Sequence, residues 1–228
     1  MKRNVLRILL ILGVVFLFSQ CVDDNDYSLG KFWISLGIVE TEDTHGYAYS
    51  IVLDSGDTLL PVSTTFGGIN PDEWNRVLVN YTLLGEAEKK PNLYYAKINT
   101  LRNVLFKEII ELTAENSDSI GNDPIKINEI WQKGSMLNVD FEYLGNYKTH
   151  YINLVIDENF SYTENEPVEL LLRHNANNDD ERYVLNGLVT FKLDSLFTFN
   201  SDSVSYVVKS TRYDNKIQTF HGTLKNIE

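Results

Sequence analysis

Residues 136–157 read MLNVDFEYLGNYKTHYINLVID and contain two runs in which a large apolar residue occupies every second position. Successive side chains of a β-strand point to opposite faces, so this period of two predicts strands with one face in a core. We therefore predict two core strands that pack face to face in one domain. The alternating residues are Val139, Phe141 and Tyr143 in the first run and Ile152, Leu154 and Ile156 in the second.

Similar short β-type runs continue on both sides of this stretch, separated by clusters of Gly, Asn, Asp and Ser. About seven strands at this spacing are typical of a β-sandwich. The chain also contains 13 Tyr and 11 Phe against only 2 Met, which favours strands over helices. The predicted sandwich strands cover 125–131, 136–143, 150–157, 167–174, 187–193, 205–209 and 216–224.

The N-terminal half begins with a strand-like segment at residues 31–40. Its alternating apolar residues predict that the face carrying Phe32, Ile34, Leu36 and Ile38 is buried. A hairpin is predicted next, because the tetrapeptide Asp-Ser-Gly-Asp at 54–57 separates two β-type runs, and Gly tolerates the positive φ of tight turns.

Residues 70–74 predict one short helical turn, with an Asn N-cap, a Pro at the first helical position and acids in the first turn. Segments 76–84 and 93–111 supply two or three more strands, so we predict a small barrel for this half. The polar, turn-rich segment NSDSIGNDP at 116–124 is the predicted boundary between the two domains.

The order of four pieces within residues 119–157 resembles the NigD-like lipoproteins: Gly121 to Ile125, Trp131, Leu137 to Phe141, and His150 with the strand that follows it. The runs Arg76 to Tyr81 and Asn103 to Lys107 are similar to the first domain of that family. The resemblance implies a lipid-modified Cys, an N-terminal OB-like barrel and a C-terminal β-sandwich. The association of the family with a bacteriocin locus implies an immunity or accessory role, and the resemblance implies no catalytic activity.

The start of the chain reads as an export signal. Three basic residues at positions 2, 3 and 7 precede an unbroken apolar run at 8–18, which is shorter than the ~20 residues of a membrane-spanning helix. The run ends just before Cys21, the only cysteine. This arrangement resembles a bacterial lipobox, in which the Cys is acylated and becomes the first mature residue. An uncleaved membrane anchor or an ordinary signal peptide are the alternatives.

The predicted organisation is therefore all-β, with a small OB-like barrel followed by an antiparallel β-sandwich. The segments are a signal peptide at 1–20, an acidic tether at 21–28, the barrel at 29–115, a linker at 116–124 and the sandwich at 125–228. The acids at 23, 24 and 26 resemble a signal for the outer face of the outer membrane, and a merely polar spacer is the alternative.

The net negative charge of the chain excludes some classes of binding partner. Loss of residues 1–20 removes three cations and no acid, which lowers the net charge from −12 to −15. Nucleic-acid binding needs a basic surface, so this class is excluded, and attachment to a membrane is predicted only through the lipid on Cys21. A glycan, a peptide or a protein stays open as the partner. With Cys21 acylated no thiol is left for a disulfide or metal, and we predict no cofactor.

Two weak ligand sites can be proposed from the sequence. Trp74, beside the predicted helical turn, is a candidate platform for a glycan, although a core position is the ordinary role of a Trp. The oxygen-rich segment around Asn177, Asp179, Asp180 and Glu181 is a candidate calcium site, although it lacks the EF-hand spacing and a hydrated loop is the alternative.

No catalytic residues are predicted, because the sequence has no Gly-x-Ser-x-Gly motif, no Ser-His-Asp order and no phosphate-binding Gly loop. His150 lacks a spaced partner and is assigned a structural hydrogen bond. The leading hypothesis is a lipid-anchored outer-membrane binding or accessory module without enzymatic activity. The alternatives are a bacteriocin immunity-like inhibitor and, last, a glycan-acting hydrolase, for which 32 acids nominate no particular pair.

Overall fold

The computed structural model describes residues 27–41, 48–67, 69–70, 74–87, 90–163, 166–200 and 202–226. The predicted signal peptide, Cys21 and most of the acidic tether lie outside these residues, as do residues 71–73 of the predicted helical turn. Within the described part of the chain, no helix is long and apolar enough to cross a bilayer.

The first five strands close into a barrel in the order β1-β2-β3-β5-β4. Strands β3 and β5 run parallel, and the other neighbours are antiparallel. The interior is filled by aliphatic side chains such as Ile51, Leu59 and Ile98, each fully buried. The strands are β1 (Trp33–Glu40), β2 (Ser50–Leu53), β3 (Thr58–Thr64), β4 (Arg76–Glu86) and β5 (Leu93–Asn103).

The hairpin predicted at 54–57 is confirmed. Ile51 lies opposite Leu59 in the β2–β3 pair, and Gly56 adopts a φ of 98°, which a side chain would disfavour. The turn places Asp54 at the end of the barrel that faces the second domain, where its carboxylate meets Arg76.

The prediction for β1 is wrong about which face enters the barrel core. Phe32 and Ile34 are 62% and 60% exposed, and Leu36 is buried outside the core cluster. Val39, on the alternate face, is 6% exposed and packs in the barrel core. Gly37 explains the choice, because a Cβ there would lie 2.7 Å from Ile51 Cγ2. Only the glycine face of β1 fits the interior, and the period of two then turns Phe32 and Ile34 outward.

The second domain is a sandwich of two sheets, and all seven predicted strands are confirmed. The two strands predicted at 136–143 and 150–157 pack face to face, as expected. A single buried core contains Val139 and Phe141 from one sheet and Ile152 and Leu154 from the other. The sheets have the orders β14-β13-β11-β10-β7 and β6-β12-β9-β8. The strands are β6 (Leu105–Glu108), β7 (Ile110–Leu112), β8 (Lys126–Lys133), β9 (Met136–Gly145), β10 (Tyr151–Asp157), β11 (Val168–Asn175), β12 (Tyr183–Lys192), β13 (Ser203–Thr211) and β14 (Ile217–Lys225).

The predicted domain boundary needs correction. Strands β6 and β7 belong to the sandwich, because β6 pairs in parallel with β12 and β7 pairs in parallel with β10. The chain therefore changes domain near Val104, and barrel strand β5 ends at Asn103. Segment 116–124 is an internal connection of the sandwich. It contains the short helix α1 (Ser117–Ile120), whose Ile120 side chain is 4% exposed.

Candidate functional site

Arg76, the first residue of β4, is fully buried where the barrel meets the sandwich. Its Nη1 and Nη2 atoms each donate a 2.6 Å hydrogen bond to Asp54, one to each carboxylate oxygen. From the sandwich, Thr190 Oγ1 accepts from Nε at 3.1 Å, and Asn138 Oδ1 accepts from Nη2 at 2.9 Å. One guanidinium therefore joins a barrel turn to strands β12 and β9.

The ion pair between Arg76 and Asp54 is bidentate and its guanidinium is fully buried, a combination that makes it strong. A planar guanidinium matches a carboxylate with two parallel bonds, and here it is removed from water. Thr190 also donates to Asn138 Oδ1 at 2.7 Å, so the two acceptors from the sandwich are held by each other. The network fixes how the two domains sit together, and we name it the Arg76 lock.

Beside the Arg76 lock lies a cavity of about 440 Å³, which we name the interdomain groove. Its apolar walls come from both domains, with Ile34, Leu36 and Leu78 on the barrel and Trp131 and Leu188 on the sandwich. Ile34, which the alternating pattern predicts to be buried, instead forms part of this wall. The volume falls in the range of small-ligand sites.

A few polar groups also line the interdomain groove: Arg102, Asp140, Asn186 and Ser55. Arg102 is exposed, and none of the described carboxylates lies within ion-pair distance of it. Asp140 accepts a hydrogen bond from Asn128 at 3.2 Å. The groove thus combines apolar walls with a small number of groups that can orient a ligand.

A second polar cluster lies inside the sandwich domain. His150 Nδ1 and His174 Nε2 are 2.9 Å apart, and His150 Nε2 donates to Asp179 Oδ2 at 3.2 Å. The backbone N–H of Asn146 also donates to this carboxylate oxygen. Packing is tight, since a Cβ on Gly145 would lie 2.9 Å from His150 Nε2. The cluster therefore ties the 145–150 turn to the 175–182 loop.

The pKa values of this cluster follow from its surroundings. Burial of the His174 ring, with the neighbouring His150, lowers the pKa of His174 to about 4, against the opposing effect of Asp123. Burial by itself would raise the pKa of Asp179, but hydrogen bonds from Asn146, His150 and nearby backbone N–H groups lower it to about 2. At neutral pH the ring of His174 is neutral and Asp179 is ionised.

The structure places the predicted ligand residues apart. Trp74 is half-buried and packs on the barrel core rather than standing out from the surface, while Trp131 is the tryptophan that lines the groove. The role of Trp74 as a glycan platform stays a prediction.

In the candidate calcium segment, Asn177, Asp180 and Glu181 are exposed, whereas the Asp179 carboxylate turns inward to His150. Within the described residues, no group of three or more His, Cys, Asp or Glu side chains could hold a metal ion. The calcium site stays a prediction, and calorimetry with calcium and then a chelator tests it.

A closed five-stranded barrel followed by a two-sheet sandwich, with a ligand-sized groove between them, defines a two-domain all-β protein. Residues 36–104 match the model of the NigD-like N-terminal OB domain, and residues 108–223 match that of the NigD-like C-terminal beta sandwich domain. The chain belongs to the NigD-like family, which confirms the resemblance seen in its sequence.

Solved structures agree over most of the chain. A protein of unknown function from Bacteroides vulgatus is 28% identical, with a TM-score of 0.72, over 86% of this chain and 92% of its own. A protein from Parabacteroides distasonis, provisionally described as toxin-related, is 31% identical, with a TM-score of 0.71, over 86% and 94%. A NigD-like immunity protein from Bacteroides caccae is 22% identical, with a TM-score of 0.64, over 85% and 93%. No curated protein matches the chain.

Proposed function

We propose that this protein is a lipid-anchored outer-membrane binding module without enzymatic activity, which holds its ligand in the interdomain groove. The observation that carries the proposal is the groove itself, with apolar walls from both domains and a volume of about 440 Å³. The Arg76 lock holds these walls in place before a ligand arrives, so little ordering free energy is lost on binding.

The groove chemistry favours binding over catalysis. General acid–base catalysis by a carboxyl group requires that the group can exchange a proton with the substrate. Of the two carboxylates that line the groove, Asp54 is engaged by Arg76 through both oxygens, so Asp140, which accepts one bond from Asn128, has no second free carboxylate with which to form a catalytic pair. The hydrolase alternative therefore gains no support from this site, whereas Leu188 and Trp131 supply the apolar area that drives association.

Groove binding can be measured with anilinonaphthalene sulfonate, an apolar anion whose fluorescence rises when it leaves water. We expect the protein to bind this probe and the double variant Ile34→Glu, Leu188→Glu to bind it at least about tenfold more weakly, because two carboxylates replace apolar wall. Ile217→Glu is the matched control, since Ile217 is 57% exposed on β14 and away from the groove. Equal loss of binding in the control would contradict the assignment.

The anchor is tested at Cys21. We expect Cys21→Ser to prevent acylation and to move the protein from the membrane fraction to the soluble fraction, because the acidic chain has no other attraction to anionic headgroups. Mass spectrometry and fractionation of cells check both effects. An unchanged mass with membrane association retained would contradict a lipid on Cys21. Protease treatment of intact cells then separates a surface-facing from a periplasmic protein.

An immunity-like inhibitor is the second candidate. It is favoured by the description of the Bacteroides caccae relative as a NigD-like immunity protein and by the net charge of −15 expected after removal of residues 1–20. Such a charge steers association with a basic toxin, and the effect weakens as salt rises. Strains with and without the gene should differ in survival under bacteriocin challenge, most strongly at low salt. Equal survival at every salt concentration would exclude this role.

A further inference from the structure

The most exposed apolar residues of the barrel follow one another at its N-terminal end. Leu29, Phe32 and Ile34 are 80%, 62% and 60% exposed. Phe32 and Ile34 lie on the same outer face of the chain entering β1, because they are two positions apart. Leu29 precedes them in the turn that leads into the strand. We name Leu29 and Phe32 the N-terminal apolar strip, and Ile34, which lines the interdomain groove, lies just beyond it.

The strip is close in sequence to the predicted anchor. Leu29 is the eighth residue after Cys21, and an extended chain covers at most about 3.3–3.6 Å per residue. Leu29 can therefore lie no more than about 30 Å, and Phe32 no more than about 40 Å, from the acylated residue. The tether thus keeps the strip within reach of the membrane in which the acyl chains are inserted.

We propose that the N-terminal apolar strip contacts the surface of the bilayer in which the acyl chains of Cys21 are inserted. The proposal rests on the lipid anchor of the proposed function. Leu and Phe side chains that face a membrane are buried at the boundary between headgroups and acyl chains. The contact orients the barrel on the membrane, with β1 at the membrane side.

A membrane fits the strip better than a protein partner does. The tether already holds the strip beside the bilayer, so contact is effectively intramolecular and needs no further loss of translational freedom. The two side chains carry no charge, so no charged group has to leave water when they enter the apolar boundary of the bilayer. The net charge of −15 for the mature chain opposes anionic headgroups, so the strip is suited to zwitterionic lipid.

A weak artificial anchor makes the contribution of the strip measurable. Cys21 is the only cysteine of the chain, so a maleimide that carries a single 14-carbon chain can be attached to it in mature protein 21–228. One such chain gives only marginal, reversible binding, with an association constant of about 10⁴ M⁻¹. Partition onto phosphatidylcholine vesicles is then measured by sedimentation.

We expect the double variant Leu29→Ser, Phe32→Ser to partition about tenfold more weakly than the unaltered protein, since two large apolar side chains no longer leave water. The matched control is Tyr147→Ser, Ile217→Ser, because these sandwich residues are 74% and 57% exposed. The control should partition like the unaltered protein. Equal partition of the Leu29→Ser, Phe32→Ser variant, with an unchanged melting temperature, would overturn the proposal and leave the strip to a protein partner.

The outcome is independent of the anchor experiment in cells. Because the acyl chain is attached chemically, the vesicle assay reports on the strip even if Cys21 proves not to be acylated in the cell. Conversely, a protein that is acylated in the cell but shows no dependence on Leu29 and Phe32 retains its anchor and loses only the proposed docking surface.

Discussion

Replacing Arg76 with methionine is expected to lower the free energy of unfolding by about 3–5 kcal/mol, because it removes one partner of a buried ion pair and leaves the other uncompensated. Arg76 is fully buried, and the Asp54 side chain is only 19% exposed. Thr190 and Asn138 lose a donor at the same time. This is among the largest effects that a single substitution outside the cores can have here.

The same substitution should also separate the unfolding of the two domains. The lock is the network that joins β4 of the barrel to β9 and β12 of the sandwich through side chains. Tryptophan reports on each side, since Trp33 and Trp74 pack on the barrel core while Trp131 lies in β8. Urea unfolding followed by fluorescence and by circular dichroism should coincide in the unaltered protein and diverge in the variant.

Two comparisons make the Arg76 result specific. Lys126→Met removes an ion pair with Glu142 in which Lys126 is 60% exposed, so it should cost less than about 1 kcal/mol. Adding Asp54→Leu to Arg76→Met should restore part of the loss, because the stranded carboxylate is then gone. If Arg76→Met costs no more than Lys126→Met, the lock does not stabilise the junction.

Features that depend on neighbouring residues could be predicted from the sequence. Alternation in β9 and β10 and the Gly56 turn are local properties, and each was confirmed in the structure. In β1, however, alternation could not give the orientation, because Trp33 and Val39 make the second face apolar as well. The close approach of Gly37 to Ile51 decides the matter, and that contact exists only in the folded barrel.

The candidate site was missed for a related reason. Arg76 meets its partners 22, 62 and 114 positions away in the chain, and no spacing rule connects such residues. Asp54 reads as an ordinary turn residue and Thr190 as an ordinary strand residue. The signals that were present in the sequence are an arginine at the start of an apolar strand and apolar residues on both faces of β1. A buried arginine needs a partner, and a strand with two apolar faces can be covered on both sides.

Strands β6 and β7 were wrongly assigned to the barrel because residues near them in the sequence do not reveal which strands they pair with. They are only 4 and 3 residues long, and the sequence of 93–111 reads as one extended apolar segment. Their partners β12 and β10 lie far along the chain. Parallel pairing leaves no hairpin turn in the sequence, so nothing marks the point at which the chain leaves the barrel.

Acid is expected to destabilise the protein as the pH falls from 6.5 to 4, because of one buried histidine, His174. In the unfolded chain His174 takes up a proton near pH 6.5, whereas in the folded protein burial and the neighbouring His150 lower its pKa to about 4. Between these values the unfolded state binds more protons, so stability falls as the pH is lowered from 6.5 to 4. The full loss from this one buried group is about 3 kcal/mol.

His174 and Asp179 affect the stability of the fold over different ranges of pH. Asp179, with a pKa lowered to about 2, stabilises the fold above its unfolded value and loses that contribution only as the pH falls from about 3.8 toward 2. Asp123 opposes the lowering of the His174 pKa, and the Tyr143 ring packs on His174 with its centroid 5.6 Å from that of the imidazole. The loss between pH 6.5 and 4 is therefore assigned to the buried histidine.

Urea midpoints measured every half pH unit from 4 to 7.5 test this assignment. The His174→Phe variant should show a flatter dependence between pH 4 and 6.5 than the unaltered protein, because no buried imidazole is left to protonate. His221→Gln, which removes an exposed histidine on β14, should leave the slope unchanged. Direct titration by nuclear magnetic resonance supplies the decisive check: a folded-state His174 ring that titrates near pH 6.5 would remove the basis for the predicted loss of stability.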